Sequence, residues 1–138
     1  MASLGALRVI EAVWAREGDG PIGSLYTELG QRFQVQNDMT LDAVRAALQA
    51  CGLDPALVAA AEDGSWDQAI RSSMAEALEL VGSDVGVPVL AFHDGDEALA
   101  ISGPVMAPGG TGDPALDLWD HVVGLARIPT FFELKRSR

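Results

Sequence analysis

The sequence predicts an α+β fold: a helical block first, then a helix, a β-hairpin and a final helix. Three observations carry this. Apolar residues recur at spacings of three and four through the first two-thirds of the chain, which puts them on one helical face. Two short apolar runs, Val89-Leu90-Ala91-Phe92 and Ala98-Leu99-Ala100-Ile101, then flank a stretch holding Asp94-Gly95, a hairpin pattern. A last helical stripe follows Asp113-Pro114.

The elements follow in order. Leu4, Leu7, Ile10 and Trp14 share one face of a first helix, which Gly18 and Gly20 end. Pro21 opens the second helix, where a missing N–H is harmless. Its stripe is Ile22, Leu25, Tyr26, Leu29 and Phe33. Residues 34–39 read as a polar loop, and Thr40 as the N-cap of a helix carrying Leu41, Val44 and Leu48. Gly52 supplies its left-handed exit. Asp54-Pro55 starts a short helix that Gly64 stops. Ser65 and Gln68 have the spacing of a capping box. The stripe Trp66, Ile70, Met74, Ala77, Leu78 and Val81 runs from there to Gly82, with Asp67 and Arg71 spaced to pair on the outer face. Residues 93–97 are the hairpin turn. Pro104, Pro108, Gly109, Gly110 and Gly112 mark an irregular loop. The final helix turns Leu116, Trp119, Val122, Val123 and Ala126 to the core, and Pro129 breaks it. Phe131-Phe132-Glu133-Leu134 is expected to pack back as a closing segment.

Composition narrows the partners. The 138 residues suit one core. Hydrophobic residues at 49% and charged residues at 21% are the balance of a soluble globular protein. A net charge of −11 repels phosphate backbones and anionic lipid, so neither nucleic acid nor a membrane is an expected partner. Arg8, Glu11 and Arg16 interrupt the apolar start, so no signal peptide is read. No stretch approaches the ~18 apolar residues of a membrane span. A cytoplasmic location is the expectation.

Cys51 is the single cysteine, so this chain has no intramolecular disulfide and no dithiol pair. It falls at the C-terminal end of a predicted helix, where the dipole disfavours a thiolate. A packed small apolar residue and a single-thiol nucleophile are its two readings. Neither His93 nor His121 has ligands at metal-site spacing, so no metal is expected. Glu76, Glu79, Asp113, Asp117 and Asp120 read as caps and helix faces. Gly109-Gly110-Thr111-Gly112 lacks the lysine of a phosphate loop.

The informative stretch is Asp84-Val85-Gly86-Val87-Pro88-Val89. A proline at the mouth of an apolar strand cannot join the ladder as a donor. X–Pro bonds are also those that tolerate cis. A cis Val87–Pro88 bond would turn the backbone of residue 87 outward, free to bind an extended ligand; an ordinary trans proline opening a strand is the other reading.

Helix, Gly86-Val87-Pro88-Val89, hairpin, Gly103-Pro104-Val105 and helix together resemble the second half of a thioredoxin-like fold. The preceding helices resemble the insertion of its DsbA-like branch. Four stretches are similar to the actinobacterial mycothiol-dependent nitroreductases, relatives of the FrnE-type oxidoreductases. They are Leu25-Tyr26-Thr27, residues 84–88, residues 102–105, and Leu118-Trp119-Asp120 with the tail Phe131-Phe132-Glu133-Leu134-Lys135-Arg136. The resemblance implies a helical lid at residues 1–82, with its following core helix, and the C-terminal half of a thioredoxin-like domain at 83–138. It implies a cis proline facing a bound thiol, and Val87 and Pro88 as the thiol- or substrate-binding residues. Mycothiol, or a similar low-molecular-weight thiol, would be the reductant, with no resident cofactor.

The family's cysteine motif and its flanking strands have no counterpart in these residues. No catalytic residue is therefore assigned here, and the N-terminal β-α-β unit is expected to be missing. Truncation of a longer enzyme is the favoured explanation; a partner chain completing the sheet is the other. Either way, Val89-Leu90-Ala91-Phe92 should present an open apolar edge through which a homodimer could pair. Three functions fit: part of a thiol–disulfide oxidoreductase acting on small nitro compounds or disulfides, a non-catalytic binding or assembly module, and a glutathione-transferase-kappa or isomerase type.

Overall fold

The computed structural model describes residues 2–94, 97–106 and 109–135. It is a mostly helical α+β arrangement with one antiparallel hairpin. The helices are α1 (Ala2–Glu17), α2 (Ile22–Gly30), α3 (Leu41–Ala50), α4 (Asp67–Val81) and α5 (Asp113–Ala126). The strands are β1 (Val89–Asp94) and β2 (Glu97–Ser102). The chain divides into two compact units, Met1–Ser73 and Met74–Arg138. No helix among the described residues is long and apolar enough to cross a membrane.

In the first unit α1 buries a face other than the expected one. Ala6, Val9, Ala12 and Val13 are buried, whereas Leu4, Leu7 and Trp14 are exposed. The cause is close approach. A Cβ on Gly5 would lie 3.2 Å from the Cβ of Ala61, on the 3-10 helix Pro55–Glu62. Only small side chains let two backbones come that near, so the helix presents its small residues and leaves the bulky stripe outside. Leu25, Leu29, Val44, Ala47, Leu48 and Val58 complete this core.

The helix ends follow local chemistry. Gly18 exits α1 at φ +77° and donates its N–H to the Trp14 carbonyl at 2.9 Å. Pro21, expected as the first residue of α2, is its N-cap, so the helix starts one position later, at Ile22. Beyond Gly30 the chain continues as a π-helical turn, Gln31–Val35, which keeps Phe33 against the core. The expected polar loop therefore starts at Gln36. Tyr26 is exposed, because Leu25 and Leu29 set the buried face. Thr40 caps α3 as expected: Oγ1 accepts from the Ala43 N–H at 3.1 Å. Leu41, at the helix start, is exposed.

Asp54 starts the 3-10 helix by accepting from the Ala56 N–H at 2.9 Å. The expected Ser65–Gln68 capping box does not form. Asp63 accepts from the Ser65 N–H at 2.9 Å and caps a short 3-10 turn, Gly64–Trp66. Gln68 instead reaches forward, donating from Nε2 to Ser72 Oγ at 3.4 Å. With Asp63 capping the 3-10 turn, Ser65 and Trp66 belong to that turn and α4 begins at Asp67, one residue later than a Ser65 cap requires. Nor does Asp67 turn to Arg71. Arg8 Nε donates to Asp67 Oδ1 at 2.6 Å and Nη2 to Oδ2 at 3.1 Å, while Nη1 donates to the Ala61 carbonyl at 3.0 Å. A bidentate, half-buried guanidinium is the stronger partner.

α4 buries no residue fully; Met74 and Leu78 of its expected stripe are exposed. Gly82 ends it at φ +83°. In the second unit the hairpin register runs from Val89 opposite Ser102 to Asp94 opposite Glu97. The strands thus extend into the expected turn and take in His93; Gly95 and Asp96 lie outside the described residues. Leu90 faces Ile101 and Phe92 faces Leu99 across the pair, which gives one apolar face. The Phe92 ring meets Trp119 of α5 edge-on at 5.5 Å and 69°. Val122 is the one buried residue of α5; Leu116 and Trp119 are exposed rather than core. The tail does not pack back as expected. Phe131 is half-buried, but Phe132 and Leu134 are 87% and 84% exposed. Pro108 and Arg136 lie outside the described residues. No third strand joins β1 among the described residues, so Val89-Leu90-Ala91-Phe92 has an open edge.

Candidate functional site: the Val87–Pro88 loop

Residues 83–88 join α4 to β1, and the chain crosses them with few ties. Ser102, the last residue of β2, donates from Oγ to the Gly86 carbonyl at 2.8 Å. Gly103 donates its N–H to the Pro88 carbonyl at 2.7 Å. Both anchors come from the end of β2, and they grip the loop on either side of residue 87. Val87 itself is 84% exposed. Among the described residues, no backbone hydrogen bond outside the helices and the hairpin involves Val87. The Val87–Pro88 and Gly103–Pro104 peptide bonds are both cis. Gly103 is buried and sits at φ +107°, a conformation that L side chains rarely adopt.

Chemically, the loop offers an exposed apolar side chain and a backbone N–H and C=O beside the end of a strand. These are the groups that strand addition uses when an extended ligand pairs with a sheet edge. Ser83 and Asp84 stand at the loop's α4 end, and the stretch Val85-Gly86-Val87-Pro88 carries no acid, base or nucleophile in its side chains. The sequence pointed to Val87 and Pro88 but not to the two anchors. Ser102 and Gly103 follow the loop by some fifteen residues, and only the hairpin register brings them back to it.

Of the other chemistry-bearing residues, Cys51 belongs to the first unit and His121 to α5. Cys51 is the C-cap of α3, half-buried against the first unit's core. Burial, then the nearby Glu28 carboxylate, push its thiol pKa up; Arg32 offsets this only in part. Thiolate chemistry is thereby disfavoured, in keeping with a packed residue. A shallow concavity of about 450 Å³ beside it is lined by Ser24, Thr27, Glu28, Ala50 and Cys51. Of the Leu25-Tyr26-Thr27 stretch, Leu25 is core, Tyr26 is exposed and Thr27 Oγ1 donates to the Gly23 carbonyl at 3.0 Å. His121 is exposed and bonds through Nδ1 to the Asp117 carbonyl one turn back. No group of three or more histidine, cysteine or carboxylate side chains among the described residues could hold a metal ion.

The fold and site define a helical α+β protein with an exposed valine–proline loop braced by the end of a hairpin. Its sequence has a single cysteine, remote in sequence from that loop. The family described as mycothiol-dependent nitroreductase Rv2466c, Rv2466c-like, matches residues 1–136. The chain belongs to this family, which makes an oxidoreductase setting and dependence on mycothiol the family's properties.

Proposed function

We propose that the chain serves a thiol–disulfide oxidoreductase of DsbA-like thioredoxin fold that draws its electrons from mycothiol. Residues 1–82 would act as the helical lid and residues 83–138 as the second half of the thioredoxin-like domain. Val87 and Pro88 would hold the thiol. Two mycothiol thiols joining as one disulfide release two electrons and two protons. These reduce a substrate disulfide to two thiols, or a small nitro compound to its nitroso form and water. Cys51 takes no part, since one thiol cannot alternate between dithiol and disulfide. The observation that carries the reading is the exposed residue 87, its neighbours' carbonyls tied back and its own backbone left for a ligand.

Titration of the ¹⁵N-labelled chain with mycothiol, followed by amide NMR, tests it. Saturable shifts at Gly86 and Val87 are expected. Saturable shifts confined to Ala50 and Cys51, beside the other concavity, would reject the loop as the thiol site.

A second reading, a non-catalytic assembly module, is favoured by the open edge of β1. It predicts a homodimer paired through Val89-Leu90-Ala91-Phe92, despite the net charge of −11 on each copy. Sedimentation that stays monomeric to high concentration would remove it.

A further inference from the structure

We infer that Ser102 is a positioning residue of the thiol site: its hydroxyl holds the loop so that the backbone of residue 87 faces the ligand. The inference rests on the loop's being that site, as proposed above. Ser102 is the last residue of β2, opposite Val89 in the register, so its side chain is placed by the hairpin rather than by the loop. The 2.8 Å bond from Oγ to the Gly86 carbonyl spans sixteen positions of sequence. It is the only side-chain hydrogen bond to residues 84–88 among the described residues. The companion anchor, Gly103 N–H to the Pro88 carbonyl, is backbone and survives any side-chain change. Between the two ties lies one residue, Val87. Removing the hydroxyl would leave the loop fixed on its Pro88 side and free on its Gly86 side. The peptide between Gly86 and Val87 could then rotate, and with it the N–H of Val87.

Serine suits this task for a local reason. Its hydroxyl is short enough to reach a carbonyl beside the strand end, and it is itself half-buried. Threonine keeps the hydroxyl and suits a strand. Alanine keeps the backbone and loses only the donor. A hydrogen bond of this kind contributes about five-fold to an equilibrium, from the usual net worth of such bonds.

The test uses the full 138-residue chain as wild type, Ser102→Ala and Ser102→Thr, with mycothiol as the probe. Binding is read by the amide shift of Val87, loop order by hydrogen exchange of the Gly86 and Val87 amides, and integrity by the thermal midpoint. The expected result is mycothiol binding weakened about three- to ten-fold in Ser102→Ala. Loop exchange should be faster, the midpoint nearly unchanged, and both loop readouts restored in Ser102→Thr. A merely structural role would lower the midpoint without separating alanine from threonine at Val87. Should wild type shift at Val87 and Ser102→Ala bind equally well, the inference about Ser102 fails while the site stands. Should wild type show no shift at Val87, the site reading fails and takes Ser102 with it.

Discussion

Asp67 is held below the usual carboxylate range first by its hydrogen bond from Arg8 and further by the Arg8 and Arg71 charges. Asp54 and Asp63 are lowered as well, in each case first by a backbone N–H, of Ala56 and Ser65. A carboxyl whose folded pKa lies below its unfolded value contributes stability that is fully present above the unfolded value, near pH 4, and is lost as pH falls through the folded one. As far as these three carboxyls decide it, the first unit should change little in stability between about pH 5 and about pH 7 and weaken on acidification below about pH 4. Asp67→Asn removes one of these groups, so its thermal midpoint should fall less steeply with acid than that of wild type. Melts from pH 2 to pH 7 measure this; an unchanged acid slope would show that the Arg8 pair is energetically idle. The Arg8–Asp67 bond was invisible in the sequence, because Arg71 stands at the spacing a helix pair uses and Arg8 stands 59 positions away. Val87 and Pro88 were legible for the opposite reason. A proline at a strand mouth is a local signal, whereas the hydroxyl that steadies the loop depends on register.

At the scale of elements, ends were easier to read than faces. Thr40 and Asp54 cap with side chains two or three residues from the N–H they serve, so sequence order contains the whole interaction. Ser65 had the same spacing signal, but Asp63 caps a 3-10 turn that takes Ser65 in, and α4 starts only at Asp67. Faces depend on what lies opposite. The bulky stripe of α1 has ordinary helical periodicity, and nothing in its own residues shows that Ala61 comes close enough to crowd any side chain at Gly5. Two substitutions separate the faces. Gly5→Leu should cost about 1–3 kcal/mol through overpacking, although leucine is the better helix former. Leu7→Ala, on the exposed side, should change stability by no more than about 0.5 kcal/mol. Chemical denaturation of both variants gives the two numbers, and a costly Leu7→Ala with a harmless Gly5→Leu would reverse the assignment. α5 repeats the lesson: Trp119 finds Phe92 yet stays half in solvent, and Val122 takes the buried place.

Over the whole molecule, burial is unevenly shared. Every buried hydrophobic residue from Ala6 to Ala61 belongs to the first unit, and among the described residues of the second only Val122 joins them. Met74, Leu78, Leu80, Val105, Leu116, Ile128, Phe132 and Leu134, all in the second unit, are exposed. A two-stranded hairpin with little buried beneath it is marginal in water, while a closed cluster of helices protects its amides up to the global unfolding free energy. Hydrogen exchange of the chain alone should therefore divide in two. Amides of α1 and α3 should exchange slowly, through global opening of the first unit. Those of β1 and β2 should exchange faster by orders of magnitude, through local opening. The difference should shrink when a ligand or partner covers the second unit, since binding to the folded form adds to its apparent stability. Adding mycothiol measures the first case, and raising the protein concentration the second. Slow exchange in β1 of the dilute, unliganded chain would show that the hairpin is stabilised without either, and would leave the exposed apolar residues without a thermodynamic consequence.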